Sequence, residues 1–277
     1  GGLVLLVYGA DALVKGASRL ALALGISPII IGLTVVSFGT SAPELAVSTQ
    51  AAWAGQADLG VGNVVGSNIF NVLFILGLSA LIVPLVVHTQ LIRIDVPVMI
   101  GTALLFFVFA LDGQLAKWEA AILTLGAVAY TWFQIYLSRK EKQSALEQEF
   151  EAELSQEPRT GTLVNIGWIV LGLVMLVLGS NWLVDAAITI ARVLGISELI
   201  IGLTIVAIGT SLPEVATSIA AALKGERDIA VGNVVGSNIF NILTVLGISG
   251  LLSPKAINIS NAAVAFDIPV MIAISVA

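Results

Sequence analysis

Two stretches of the 277-residue chain concentrate oxygen-bearing side chains in otherwise apolar surroundings. Ser37, Thr40, Ser41 and Glu44 stand at i, i+3, i+4 and i+7, a spacing that stacks their oxygens on one helix face. Pro43 has no N–H to offer the carbonyl of Gly39, and Gly39 itself loosens the turn, so backbone carbonyls are freed beside the carboxylate. The same device returns as Ala207, Gly209, Thr210, Ser211, Pro213 and Glu214. A second stripe has a spacing of four: Asn63, Ser67 and Asn71, then Asn233, Ser237 and Asn241. Glycines between them, such as Gly62, Gly66, Gly232 and Gly236, allow close helix approach.

A carboxylate isolated at bilayer depth costs at least a few kcal/mol, so Glu44 and Glu214 are expected to face each other or a cation. Two carboxylates with hydroxyl, amide and carbonyl oxygens form a cage for a hard cation. Ca²⁺ fits it with roughly six to eight oxygen ligands, and Mg²⁺, which sheds water reluctantly, fits less well. Two monovalent cations would balance the same charge, which is the physical basis of exchange. Cysteine is absent and His88, at a loop, is the only histidine, so thiol catalysis and Cys/His metal clusters are excluded. An intramembrane hydrolase using the glutamates as acid and base would leave the hydroxyl and amide stripes idle, and no Ser/His pair exists. A passive channel is the third alternative. For Asn63 and Asn233, ligation and helix-to-helix bonding both stay open. Asp95 and Asp267, each two residues before a proline, read as helix caps, and Asp11 and Lys15, one turn apart, as a pair.

The elements that must carry these residues are membrane helices. Charged residues make up 11% of the chain, against roughly a quarter in ordinary soluble domains, and hydrophobic ones 58%. Mean hydropathy is +1.04. A net charge of -6 offers no footprint for nucleic acid. Nine apolar segments are expected, at about 3–24, 28–54, 58–84, 94–111, 117–138, 162–192, 198–223, 228–252 and 261–277. The charged stretch 139–160 reads as a solvated linker; its acids lack the turn spacing of an EF-hand loop. It divides a first half, 1–138, from a second, 161–277. Arg19, Arg93, Arg139, Lys140, Lys142, Arg159, Lys224 and Arg227 fall on the linker's side of the membrane, and only Lys117, Arg192 and Lys255 on the other. A cytoplasmic linker and an outside N-terminus follow from that bias. The opening Gly1-Gly2 lacks an initiator Met, so a few native residues are expected in front.

The halves are copies. Gly25 to Gln50 aligns without gaps on Gly195 to Ala220, and VGNVVGSNIFN at 61–71 recurs unchanged at 231–241, both at an offset of 170. A later echo joins 94–100 to 266–272. Five spans separate each element from its copy, so the copies cross the membrane in opposite directions, an inverted repeat with its site expected near the midplane. The counterpart of the fifth span is expected near 289–309, beyond this chain.

The two GTS-x-PE segments, Gly39 to Glu44 and Gly209 to Glu214, with the two GNVVGSNIFN segments, resemble the α-repeats of sodium/calcium exchangers within the Ca²⁺/cation antiporter superfamily. The resemblance covers nearly the whole chain. It implies an all-α membrane fold of ten helices in two inverted five-helix halves, and an antiporter that exchanges Na⁺ for Ca²⁺ by alternating access, extruding cytosolic Ca²⁺ through the cell (plasma or inner) membrane, with no enzymatic activity, cofactor or obligatory protein partner. By the same resemblance Glu44 and Glu214 are the central acidic ligands. Thr40 and Thr210 offer hydroxyl and carbonyl oxygens to Ca²⁺, and Ser41 and Ser211 support the broken helices. The carbonyls of Ser37 and Ala207 with the hydroxyls of Ser67 and Ser237 complete flanking Na⁺ sites, and Asn71 and Asn241 line the middle. Potassium-dependent relatives carry Asp where Asn241 stands, so K⁺ cotransport is not expected. The motif favours Na⁺ over H⁺ coupling, a Ca²⁺/H⁺ antiporter being the nearest rival. The first and sixth helices are the expected sliding elements.

Overall fold

The computed structural model describes residues 1–84, 88–141, 161–195 and 207–277. The linker from 142 to 160 and the start of the expected seventh segment, 196–206, lie outside the described residues. The first helix, α1, is Gly2–Leu24. Next come α2, Pro28–Thr40, and α3, Ala42–Trp53, one span bent by 43°. They are followed by α4, Asp58–Ile82, α5, Leu91–Ala110, α6, Lys117–Leu137, and α7, Thr162–Val193. In the second half α8, Ala207–Thr210, and α9, Leu212–Leu223, repeat the broken span. The series ends with α10, Arg227–Leu252, and α11, Ala263–Val276. Among the described residues five helices are long and apolar enough to cross a membrane, six when the bent pair counts as one span.

Large apolar side chains point outward on these helices, among them Leu81, Val108, Trp132, Leu163 and Val193. An outward-facing apolar surface of this extent requires lipid as its solvent. The ends of the helices follow local chemistry. Gly25 adopts a left-handed φ of 61°, and the Ile26 amide returns to the Ala21 carbonyl at 2.9 Å, closing α1 before Pro28 opens α2.

α1 packs against α7 from Gly2, beside Gly179, to Gly16, beside Asn165, and glycine makes that possible. Gly2, Gly9 and Gly16 repeat every seven residues and face Gly179, Gly172 and Asn165 in antiparallel register. A Cβ on Gly172 would stand 2.6 Å from the Leu13 nitrogen and 2.7 Å from the Gly9 carbonyl oxygen, so the two backbones touch. This pair, with Ala221 and Ala222 of α9, forms one buried apolar cluster; α4, α5, α6, α10 and α11 contribute to a larger second one. At one end a two-residue antiparallel ladder joins β1, Gln114–Leu115, to β2, Ile257–Asn258, and clips the halves together. Asp58 accepts the Ser260 amide at 3.2 Å beside it.

Two expectations are corrected. Asp11 does not pair with Lys15: it bonds Lys224 at the end of α9, while the Lys15 ammonium sits 5.0 Å from the Trp168 ring centre on α7. The tight approach of α1 to its neighbours offers each charge a nearer partner than its own helix does. Asp95 and Asp267 are not caps either. The helices begin earlier, with π-helical turns at Leu91–Asp95 and Ala263–Asp267, and neither carboxylate bonds an N-terminal amide. Asp95 is instead buried within α5, where Tyr130 donates to it at 3.1 Å, Gln90 at 3.4 Å, and Gln134 also donates.

Candidate ion site

The two helix breaks meet at the centre of the molecule. Pro43 occupies the first turn of α3 and cannot donate to Gly39, so α2 stops at Thr40 and Ser41 turns the chain with ψ near 7°. Ser211 does the same between α8 and α9, with ψ near 4°. Each break leaves a glutamate in the first turn of the following half-helix, Glu44 in α3 and Glu214 in α9, where the positive end of the helix dipole favours a carboxylate. Both side chains are 0% exposed.

The acids are held by hydroxyls from both halves. Ser211 donates to Glu44 Oε1 at 3.0 Å, and Ser41 to Glu214 Oε1 at 3.2 Å. Ser67 of α4 reaches Glu44 Oε1 at 3.3 Å and shares a 2.8 Å bond with Ser211. Oε2 of each glutamate is buried without a protein hydrogen-bond partner, and so are Oδ1 of Asn71, Oδ1 of Asn241 and Oγ of Ser237. A buried oxygen with no donor costs about 1–3 kcal/mol, and more when it carries charge. This concentration of unmatched acceptors on α3, α4, α9 and α10 is an arrangement that a bound cation satisfies. Among the described residues no three His, Asp or Glu side chains come together, so the remaining ligands must be neutral oxygens.

The structure brings together all of the expected site residues that it describes in full, with different duties. Thr40 donates to Asn233 Oδ1 at 3.1 Å and Thr210 to Asn63 Oδ1 at 3.2 Å. Asn63 and Asn233 in turn donate to the backbone carbonyls of Glu44 and Glu214, both at 3.4 Å, and to Ser48 and Ser218. These two asparagines therefore brace the broken helices across the repeat interface. Ser37 turns its hydroxyl to the backbone of Gly32 and Asn233, and its carbonyl accepts from Ser41 N at 3.0 Å and Thr40 Oγ1 at 3.3 Å. Ser37 seats α2 against α10, where Gly236 leaves room: a Cβ there would lie 2.3 Å from Ser37 Oγ. Ala207 begins α8.

Asn71 and Asn241 each open a π-helical turn, Asn71–Leu76 and Asn241–Leu246, a feature that no residue spacing announced. Asn68 and Asn238, three residues earlier, were not singled out from the sequence although they lie in the unchanged repeat. Asn68 donates to the Asn238 carbonyl at 3.1 Å and Asn238 to the Asn68 carbonyl at 3.3 Å, cross-linking α4 to α10. Their identity in both copies was the available signal.

A cavity of about 220 Å³ approaches the site between α3, α7 and α8, lined by Ala42, Pro43, Val177, Ser180, Asn181 and Thr210. At the equivalent place in the other half Val14 and Pro213 are buried while Val7 and Asp11 are exposed.

A family model described as sodium/calcium exchanger protein matches residues 1–136 and 164–277. The chain is 47% identical over 258 residues to the putative antiporter CaxA of Alkalimonas amylolytica, covering 93% of this chain and 80% of that one. It is 37% identical over 306 residues to the sodium/calcium exchanger MaX1 of Methanosarcina acetivorans, covering 99% and 87%. Its structure resembles that of the sodium-calcium exchanger NCX_Mj soaked with 2.5 mM Na⁺ and 0.1 mM Ca²⁺, with a TM-score of 0.84 at 31% identity, over 99% of this chain and 85% of that one.

Proposed function

The chain belongs to the sodium/calcium exchanger family, and from that premise we propose that it is a multi-pass membrane antiporter exchanging Na⁺ for Ca²⁺ by alternating access and extruding Ca²⁺ from the cytosol. The observation that carries this reading is the pair of fully buried glutamates whose Oε2 atoms have no hydrogen-bond donor. One Ca²⁺ neutralises both charges, and so do two Na⁺, so the guests exclude each other electrostatically. An unoccupied doubly charged site resists passage through the bilayer, which couples movement of the protein to occupancy.

Glu44 and Glu214 are the shared acidic ligands. Thr40 and Thr210 border the Ca²⁺ position, and Asn71 and Asn241 face it with carbonyl oxygens. Ser67 and Ser237, with the backbone at Ser37 and Ala207, border flanking Na⁺ positions, while Ser41 and Ser211 hold the carboxylates. The halves, 1–138 and 161–277, cross the membrane in opposite senses. The bias of the basic residues supports a cytoplasmic linker and an outside N-terminus; the cavity beside Thr210 then opens outward, and α1 with α7 is the element that slides.

The test is ⁴⁵Ca²⁺ uptake by proteoliposomes loaded with Na⁺, with and without a pH gradient. Uptake should need internal Na⁺ and ignore the pH gradient. Uptake driven by the pH gradient alone would assign the scaffold to Ca²⁺/H⁺ exchange.

A further inference from the structure

Four asparagines meet where α4 and α10 cross, and their hydrogen bonds fix which end of each amide faces the ions. The Nδ2 of Asn68 is committed to the backbone carbonyl of Asn238, 3.1 Å away, and the Nδ2 of Asn238 to that of Asn68, 3.3 Å away. A backbone carbonyl only accepts, so neither amide can be turned round without losing its bond. Each Oδ1 is thereby held as an acceptor, and each takes the Nδ2 of an asparagine from the opposite half. Asn71 donates to Asn238 Oδ1 and Asn241 to Asn68 Oδ1, both at 3.0 Å. With their NH₂ groups engaged, Asn71 and Asn241 leave Oδ1 uncommitted, and those are the two asparagine oxygens buried without a partner. All four side chains are at most 2% exposed, so water does not compete.

We propose that Asn68 and Asn238 are positioning residues that determine cation affinity at the middle of the site, by locking Asn241 and Asn71 with the carbonyl end toward the ions and the NH₂ end away. The proposal rests on the exchange reading above. Asn241 Nδ2 also donates to Ser67 Oγ at 3.3 Å, so without Asn68 the amide keeps only that longer bond, and where it turns a cation meets N–H hydrogens in place of an oxygen. The lock is reciprocal: the residue that orients Asn241 lies on α4, and the one that orients Asn71 on α10. Each half therefore sets the ligand of the other.

The roles separate because a carboxylate has no wrong end. Aspartate at 241 presents oxygen whichever way it turns and faces the locked Oδ1 of Asn68 acceptor to acceptor, so it gains nothing from Asn68. The experiment measures the Ca²⁺ concentration for half-maximal Na⁺-driven uptake by the full chain in proteoliposomes, for Asn68→Ala alone and in an Asn241→Asp background. The expected result is a loss of roughly ten-fold for Asn68→Ala alone, the size of one buried polar mismatch, and a loss under about two-fold or a gain when Asn241→Asp is present, as a double-mutant cycle reads coupling. Equal losses in the two backgrounds would mean that Asn68 merely holds the helices together, and would overturn the proposal. Should Asn68→Ala not fold, the mirror cycle, Asn238→Ala with and without Asn71→Asp, makes the same demand from the other half. If the unmodified chain shows no Na⁺-driven uptake, it is the exchange reading that fails, whereas active unmodified protein with background-independent losses refutes the lock alone.

Discussion

Ser211 Oγ donates to Glu44 Oε1 across 3.0 Å, although 167 positions separate the two residues in the chain. Ser41 answers with a 3.2 Å bond to Glu214. Each acid is thus bonded to the serine at the break of the opposite span, so a rearrangement at either break strains the bond to the carboxylate of the other half. Movement that opens one side of the site cannot leave the ligands of the other undisturbed, which is what alternating access requires.

Removing either charge should end exchange. Glu44→Gln and Glu214→Gln each leave one carboxylate against a divalent guest, and loss of one partner of a buried charge pair costs about 3–5 kcal/mol. Isotopic flux in proteoliposomes is expected to fall by roughly a hundred-fold or more, on that same scale. Substantial Ca²⁺ transport by either variant would contradict the central role of the pair.

The serine bonds should contribute less. Ser211→Ala and Ser41→Ala each delete one donor to Oε1 and should weaken Ca²⁺ binding about five-fold, as expected of a net stabilisation near 1 kcal/mol. Calorimetric titration of purified protein reads this directly. Glu44 Oε1 keeps the Ser67 donor when Ser211 is removed, so a loss larger for Ser211→Ala than for Ser41→Ala would contradict this arrangement.

Gly172→Ala should be more damaging than its chemistry implies, because its Cβ would fall 2.6 Å from the Leu13 nitrogen. The helices must part, at a cost of about 1–3 kcal/mol for overpacking, and the thermal midpoint should drop. Gly101→Ala, on an exposed face of α5 where nothing stands within 4 Å, should leave the midpoint level or raise it. The comparison fails if the two variants melt alike.

The buried Asp95 should serve stability and not affinity. Tyr130→Phe deletes one donor to Asp95 and keeps the ring that meets Phe240 edge-on, with centroids 6.1 Å apart. Thermal stability should fall by about 1–3 kcal/mol, with the Ca²⁺ requirement for transport within about two-fold of the unmodified chain, less than a single net hydrogen bond is worth. A larger change in Ca²⁺ requirement would tie α5 and α6 to the ion site.

Orientation can be read by cysteine labelling, since the chain has no cysteine of its own. Ser144→Cys in the linker should react with an impermeant maleimide only from the cytoplasmic side, and Asp112→Cys, in the turn after α5, only from outside. The reverse pattern would turn the proposed topology over.

The sequence by itself determined the membrane helices, the duplication, and the stripe that carries Glu44, Thr40 and Ser41. Apolar length, helical spacing and a Pro four residues after Gly39 are local properties, and local properties are legible along one chain. The reversed sense of the halves also follows from counting spans. Tertiary structure alone decided which oxygens are left for ions. Ser37 belongs to the stripe, yet its hydroxyl is taken by the backbone of Gly32 and Asn233. Asn71 and Asn68 lie in one unchanged motif, yet Asn71 keeps a free carbonyl oxygen and Asn68 does not. Asp11 found Lys224 across 213 positions and passed over Lys15 one turn away. In each case the competing partner sits on a helix remote in sequence, and a hydrogen bond or ion pair goes to whichever group the packing of helices brings within reach.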